Sequence, residues 1–270
     1  MMSNDGLIAI LGGGNMGSAL AKGLIAAGIA RADQVVVAEK LAATAEKVRR
    51  ELGVVVVDGP ASLPPVDTVV VAVKQGDLAE ALTAARPALG PATLVITLVA
   101  GIPLAKVAPL LPAGQPLVRA MPNMPALIGR GASALAPAAG LDPALLERAQ
   151  AIFGAVGRVV VVKEALMDAV TALSGSGPGY VFLIIEALAD AGVLQGLDRA
   201  TALTLAAGTV AGAAELLMQV GQHPAQLKDM VASPGGTTIA GLQVLERGGL
   251  RGIIMDAVAA ATERGRVLGS

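Results

Sequence analysis

The sequence predicts an α/β fold in two parts: a doubly wound parallel sheet over residues 1–162, then an all-helical domain over 163–270. Three observations carry this. Short apolar runs alternate with segments of helical period up to Val162, as expected of a parallel sheet covered by helices on both faces. A glycine-rich turn follows the first of those runs and opens a helix. Beyond Val162 the strand pattern stops, and long apolar segments of helical period take over.

Leu7–Leu11 is a short apolar run suited to a strand buried on both faces. Gly12-Gly13-Gly14-Asn15-Met16-Gly17 follows, with Ala19, Leu20, Gly23, Leu24 and Ile25 at helical spacing. This is G-x-G-x-x-G in the strand–turn–helix setting of a Rossmann-type dinucleotide site. Gly12 permits the tight turn, Gly14 lets a pyrophosphate approach the backbone, and Gly17 lets the helix lie close to the sheet. Leu11, Gly13, Asn15 and Met16 complete the expected cofactor cradle. The second strand, Gln34–Ala38, ends at Glu39-Lys40. Glu39 lies 22 residues after Gly17, where a carboxylate takes the ribose 2′-hydroxyl of NAD. Lys40 could instead hold the 2′-phosphate of NADP, and a solvated helix start is the plain alternative for both.

A charged helix over Ala42–Leu52 and a strand over Val54–Val57 come next, then a buried strand over Thr68–Val73. Open α/β sheets bind ligands at the carboxyl ends of their strands, so Ala72, Val73 and Lys74 are cofactor candidates. After a helix at 78–85, the strand Thr93–Leu98 ends at Val99-Ala100-Gly101, which adds Ala100 and Gly101 to that set. A short helix at Leu104–Leu111, strands at Leu117–Met121 and Ser133–Leu135, a helix at Leu145–Val156 and a strand at Arg158–Val162 complete the first part.

The helical part begins with Glu164–Leu173, which Ser174-Gly175-Ser176-Gly177-Pro178 interrupts. Helices follow over Gly179–Val193, Arg199–Val220 and Pro224–Val231. The turn Ser233-Pro234-Gly235-Gly236-Thr237-Thr238 then runs into Ile239, Leu242 and Leu245 at helical spacing, and Gly252–Val267 is the last helix. The first turn of a helix carries N–H groups without intrahelical partners, at the positive end of the dipole. Gly235 and Gly236 bring no Cβ atoms to shield that backbone, and Thr237 and Thr238 add adaptable hydroxyls. Such a turn is a neutral cradle for a small anion such as a carboxylate; a capped glycine loop is its plain alternative. The helices at 179–193 and 200–218 are apolar on too many faces to be covered within about a hundred residues, which predicts burial against a second subunit.

Composition excludes several classes. The chain is 54% apolar with one Tyr, two Phe and no Trp, so platforms for stacking nucleic-acid bases are missing. A net charge of −1 argues against a phosphate-backbone partner. The absence of cysteine removes disulfides, thiolate metal sites and Cys nucleophiles. The single histidine, His223, precedes Pro224 between two helices and suits a solvated or capping role better than a metal site. A mean hydropathy of +0.69 raises a membrane reading. The uncharged stretch Ala200–Ala214 falls short of the ~20 residues that span a bilayer, and Gly208 and Gly212 have the spacing of close helix packing. Asn4 and Asp5 stand where a signal peptide has a basic region, which predicts a cytoplasmic protein.

Taken together, Gly12–Gly17, Ala72-Val73-Lys74, Arg119-Ala-Met-Pro-Asn123, Asp168–Pro178 and Leu227-Lys-Asp with Ser233–Thr238 resemble the pyrroline-5-carboxylate reductase family over nearly the whole chain. The resemblance implies reduction of the ring C=N of 1-pyrroline-5-carboxylate to L-proline, the last step of proline biosynthesis. It implies NADPH as cofactor, with NADH possible, and a homodimer through the helical domain, commonly assembled as five dimers. It places the substrate on the backbone of Ser233, Gly235 and Gly236, on Thr237 and Thr238, and at Glu164. Thr238 is the expected catalytic residue, donating a hydrogen bond to the ring nitrogen, with Thr237 as its rival because adjacent helical residues point about 100° apart. Met124 departs from the family's usual Thr. The residue chemistry agrees, since a chain without Cys or metal ligands suits a reaction whose hard step belongs to the cofactor. Related imine and 3-hydroxyacid reductases bring a Lys or Asp on the first helix of the helical domain, and Thr171–Ser176 offers neither. A nicotinamide-ratio sensor would need a further binding module for which the chain has no room.

Overall fold

The structure is a computed structural model and describes residues 6–269. Eight strands form one sheet: β1 (Ile8–Leu11), β2 (Val35–Ala38), β3 (Val55–Val57), β4 (Val66–Val71), β5 (Leu89–Thr97), β6 (Leu117–Met121), β7 (Gly131–Pro137) and β8 (Gly157–Val161). Their order is β3-β2-β1-β4-β5-β6-β7-β8. The chain moves outward from β1 to β3 and then returns to pair β4 with β1, so the crevice between those two strands is the topological switch point. β1 to β6 are parallel, but β7 runs antiparallel to β6, and β8 pairs parallel to β7. The sheet is thus the expected doubly wound parallel one with a single departure, the direction of β7 against β6. The connection from β6 to β7, residues 122–130, is shorter than the dozen or so residues a parallel crossover needs. β7 is also longer than the short strand expected at Ser133–Leu135.

Helices α1 (Asn15–Ala26), α2 (Ala42–Leu52), α3 (Leu78–Ala85), α4 (Leu104–Val107) and α5 (Pro143–Gly154) lie among these strands in sequence. The pleat sends alternate side chains to opposite faces. Ile10, Val70 and Ile96 pack with Leu20 and Leu24 of α1 and with Ile152 and Phe153 of α5. Leu11, Val69, Val71 and Val95 pack on the other face with Leu78 and Leu82 of α3. Both faces are covered, so these strands read as continuous apolar runs without polar alternation.

The chain separates into two compact units, residues 1–176 with 261–270, and residues 177–260. The expected division at 162/163 falls inside the first of these. Residues 163–176 join the sheet unit because Met167 is fully buried against Ala134 and Ala136 of β7. In that stretch α6 (Met167–Val170) continues into a π turn over Thr171–Gly175, closed by the Ser176 N–H donating to the Thr171 carbonyl at 2.8 Å. The break expected at Ser174–Pro178 is therefore a widened turn in one helical run. Pro178 is tolerated because it falls in the first turn of α7 (Gly177–Leu194), where its missing N–H is no loss.

The second unit holds α7, α8 (Arg199–Val220), α9 (Pro224–Met230), α10 (Thr237–Arg247) and most of α11 (Leu250–Gly269). Asp198 starts α8 by accepting from the N–H groups of Ala200 and Thr201. His223 caps α9, its Nδ1 accepting from the Ala225 N–H at 3.2 Å, the capping role read from the sequence. α7 and α8 share a small core of Ala189, Ala202 and Ala206. Phe182, Leu183, Leu203 and Leu205 stay exposed, Leu183 at 66%. By length and composition two helical runs suffice to cross a membrane, Glu164–Leu194 and Arg199–Val220. This corrects the fifteen-residue measure, because α8 continues past Glu215 to Val220.

Candidate active site

The glycine turn is built as its residue types require. Leu11 ends β1 buried in the sheet core. Gly12 has φ +101°, a conformation that L side chains rarely adopt, and a Cβ there would lie 2.8 Å from the Ala72 carbonyl oxygen. A Cβ on Gly17 would run into the Gly12 carbonyl oxygen, so only glycine lets α1 sit this close to the turn. Gly14 differs from both: a Cβ on it would meet nothing within 4 Å among the described residues. Gly14 is the N-cap of α1 and has no side chain to close the helix end. The N-terminal N–H groups, including those of Asn15 and Met16, therefore form an open cradle that fits a pyrophosphate.

Glu39 follows β2 and is half-buried. One carboxylate oxygen accepts from the Gly13 N–H and the other from the Leu41 N–H, each at 2.8 Å. A carboxylate has about four acceptor positions, so Glu39 fixes the glycine turn and keeps capacity for a ribose hydroxyl. Lys40 is engaged elsewhere: its Nζ donates to Glu80 Oε1 at 2.5 Å. Ala72 and Val73 leave the end of β4 half-buried, and the Ala72 N–H donates to the Leu11 carbonyl at 2.8 Å. Lys74 is exposed and starts a 3-10 turn over Gln75–Asp77. Ala100 and Gly101 lie in the turn after β5, where Gly101 has φ +75°. The structure thus gathers the expected cofactor residues along the carboxyl ends of β1, β2, β4 and β5.

Arg119, Asp168 and Asn123, which have no assigned role from sequence, organise the neighbouring loops together with Glu164. Arg119 of β6 is 6% exposed, with guanidinium nitrogens 3.7 Å from Glu164 and 3.8 Å from Asp168. Glu164 also accepts from the Leu104 N–H at 2.6 Å, which ties the start of α4 to the 164–166 turn. Its carboxylate therefore accepts one backbone N–H and faces one guanidinium. Asn123 is nearly buried; its Oδ1 accepts from the Ala132 N–H at 2.8 Å and its Nδ2 donates to the Ser174 carbonyl at 3.0 Å. The signal for Arg119 was available, since an arginine inside an apolar strand has to be paired. Met124 begins the 3-10 turn after Asn123 and is 55% exposed.

In the second unit, Ser233–Gly236 forms the turn before α10. Gly235 has φ +66°, and the Gly236 N–H donates to the Ser233 carbonyl at 3.0 Å. Gly236 is the N-cap, again without a side chain, and the first helical residues are Thr237 and Thr238. Thr237 is exposed and Thr238 half-buried. A groove of about 520 Å³ runs along this end of α10, lined by Lys228, Gly235, Gly236, Ile239, Gln243 and Glu246 among others.

The sheet order, the switch point and the glycine cradle define an NAD(P)H-dependent oxidoreductase with a helical second part. Comparison with known proteins makes this specific. Residues 7–101 match a family described as NADP oxidoreductase, coenzyme F420-dependent, and residues 164–268 match pyrroline-5-carboxylate reductase dimerisation. The pyrroline-5-carboxylate reductase of Methanosarcina acetivorans is 43% identical over 97% of both chains, and that of Synechocystis is 43% identical over 97% of this chain and 98% of its own. The solved structure of a pyrroline-5-carboxylate reductase from Coxiella burnetii superposes with a TM-score of 0.94 at 34% identity, covering 99% of this chain and 100% of that one. The Plasmodium falciparum enzyme, solved with NADP bound, gives 0.85 at 32% identity over 99% of each chain. The chain belongs to the pyrroline-5-carboxylate reductase family.

Proposed function

We propose that the chain reduces the C=N bond of 1-pyrroline-5-carboxylate to L-proline, with Thr238 as the catalytic hydrogen-bond donor. The observation that carries this is the pairing, in one chain, of an open glycine cradle at the sheet's switch point with an uncapped Gly-Gly-Thr-Thr helix start. NAD(P)H, when bound, supplies the hydride. Leu11, Gly12–Gly17, Ala72–Lys74, Ala100 and Gly101 hold and orient it, and the turn carrying Glu39 and Lys40 lies at its adenosine ribose. The turn Ser233–Gly236 holds the substrate carboxylate, with the backbone N–H groups of Gly235 and Thr237 aimed at it, while Thr238 donates its hydroxyl hydrogen bond to the ring nitrogen. The C=N carbon takes the hydride and the nitrogen takes a proton from water, and a hydroxyl serves either protonation state of that nitrogen. Glu164 contributes by holding the Leu104 turn next to Ala100 and Gly101, beyond any direct contact with substrate.

The functional division lies at 162/163, between a cofactor domain and a substrate and dimerisation domain, in line with the dimerisation match beginning at residue 164. The exposed apolar faces of α7 and α8 are covered by a second copy, giving a homodimer that can assemble further into a decamer. The protein works in the cytoplasm without a membrane, its two long apolar helices serving the subunit interface. An NAD(P)H oxidation assay tests the reaction. Turnover with pyrroline-5-carboxylate, and not with a panel of keto and hydroxy acids, is the expected result; a preference for a keto acid would reject it.

A further inference from the structure

The turn after β2 is where a dinucleotide-binding sheet tells NADH from NADPH, because the adenosine 2′-substituent lies there. Its residues are Glu39-Lys40-Leu41-Ala42, and among them only Lys40 has a side chain that can donate to a phosphate. In the structure Lys40 already has a carboxylate partner. Its ammonium is held by Glu80 of α3, a residue forty positions later, at 2.5 Å. The hydrogen bond to Glu80 raises the Lys40 pKa above its ordinary value, and the nearby Asp77 carboxylate adds to this. Glu39, meanwhile, directs a carboxylate at the same turn and accepts from the Gly13 and Leu41 N–H groups. The turn therefore presents an acceptor for a ribose hydroxyl and no free cation for a phosphate dianion.

We propose that Glu80 is a specificity-determining residue for the cofactor: by holding Lys40 it withdraws the turn's phosphate-binding side chain and tilts the choice from NADPH toward NADH. This rests on the placement of Glu39 and Lys40 at the adenosine ribose. Both partners of the ion pair are half or more exposed, at 50% and 70% of their side-chain surface. Exposed pairs are weak, so Glu80 tunes the preference without closing the site to NADPH. No step of the reduction passes through it. Its effect should be read in binding, apart from turnover.

Calorimetric titration of NADP⁺ and NAD⁺ into the wild-type protein, Glu80→Gln, Lys40→Met and the double variant tests this. Glu80→Gln should bind NADP⁺ about three- to thirtyfold more tightly, the scale of one exposed charge freed for a phosphate. NAD⁺ affinity should stay within about twofold, which also shows the variant is folded. The double variant should bind NADP⁺ no more tightly than Lys40→Met alone. Unchanged NADP⁺ affinity in Glu80→Gln would overturn the proposal. So would an equal gain in the Lys40→Met background, since Glu80 would then act as a diffuse charge and not through Lys40. A wild-type protein that bound neither nucleotide would remove the ribose-site reading itself, and the proposal with it.

Discussion

At the scale of single residues, the strongest statement concerns a hydroxyl. Thr238 sits second in α10, behind a glycine N-cap, and is half-buried where its neighbour Thr237 is exposed. A hydrogen bond that strengthens as hydride reaches the ring lowers kcat when it is removed, and not only the apparent affinity. Thr238→Ala should lose roughly ten- to a thousandfold in kcat, the scale of a lost positioned donor, whereas Thr238→Ser should keep most activity. Steady-state kinetics of the two variants decide this; normal kcat with a raised KM in Thr238→Ala would reduce the residue to carboxylate binding. Gly17 makes a structural prediction of the same kind. Gly17→Ala drives a Cβ into the Gly12 carbonyl, and urea denaturation should show a loss of about 1–3 kcal/mol or more. These glycines were legible in the sequence because each answers a local geometric need. Lys40–Glu80 and Asn123–Ser174 were not, because the partners are 40 and 51 positions apart and no periodicity links them.

Among the elements, the π turn at Thr171–Gly175 is the one whose form depends most on a distant residue. Asn123 holds it from outside, joining the Ser174 carbonyl to the Ala132 N–H through one side-chain amide. Asn123→Ala leaves both backbone groups without that partner, at a cost of about 1–3 kcal/mol each if they remain dry. Thermal denaturation should register the loss, and a variant as stable as wild type would mean water replaces the amide. The helical and strand periods made most elements readable, and α2 and α8 fall on the expected residues. The π turn was misread because Ser-Gly-Ser-Gly-Pro has the composition of a break, while Met167, buried under β7, keeps the run helical up to it. The antiparallel direction of β7 was misread for a similar reason, since residue alternation reports burial and not strand direction.

For the whole molecule, the second unit is unfinished as a single chain. Its shared core between α7 and α8 is three alanines, while Phe182, Leu183 and Leu205 are more than half exposed. Gly208 and Gly212 have open space where a side chain would go, with nothing within 4 Å among the described residues. Gly208→Leu therefore costs the isolated protomer little packing, and any large effect must come from assembly. Light scattering should show the variant shifted toward smaller species, with overpacking at the interface costing ~1–3 kcal/mol; a variant that assembles like wild type would place the interface on another face.

The central claim is that this chain delivers hydride to the C=N carbon of 1-pyrroline-5-carboxylate. The most direct measurement is mass spectrometry of the product formed with nicotinamide cofactor deuterated at the transferring position. L-proline carrying one deuterium on the ring carbon that was doubly bonded to nitrogen, and none on the carbon bearing the carboxylate, formed in step with cofactor oxidation, is the predicted result. Cofactor oxidation without deuterated proline, or no oxidation in the presence of pyrroline-5-carboxylate, would contradict the account.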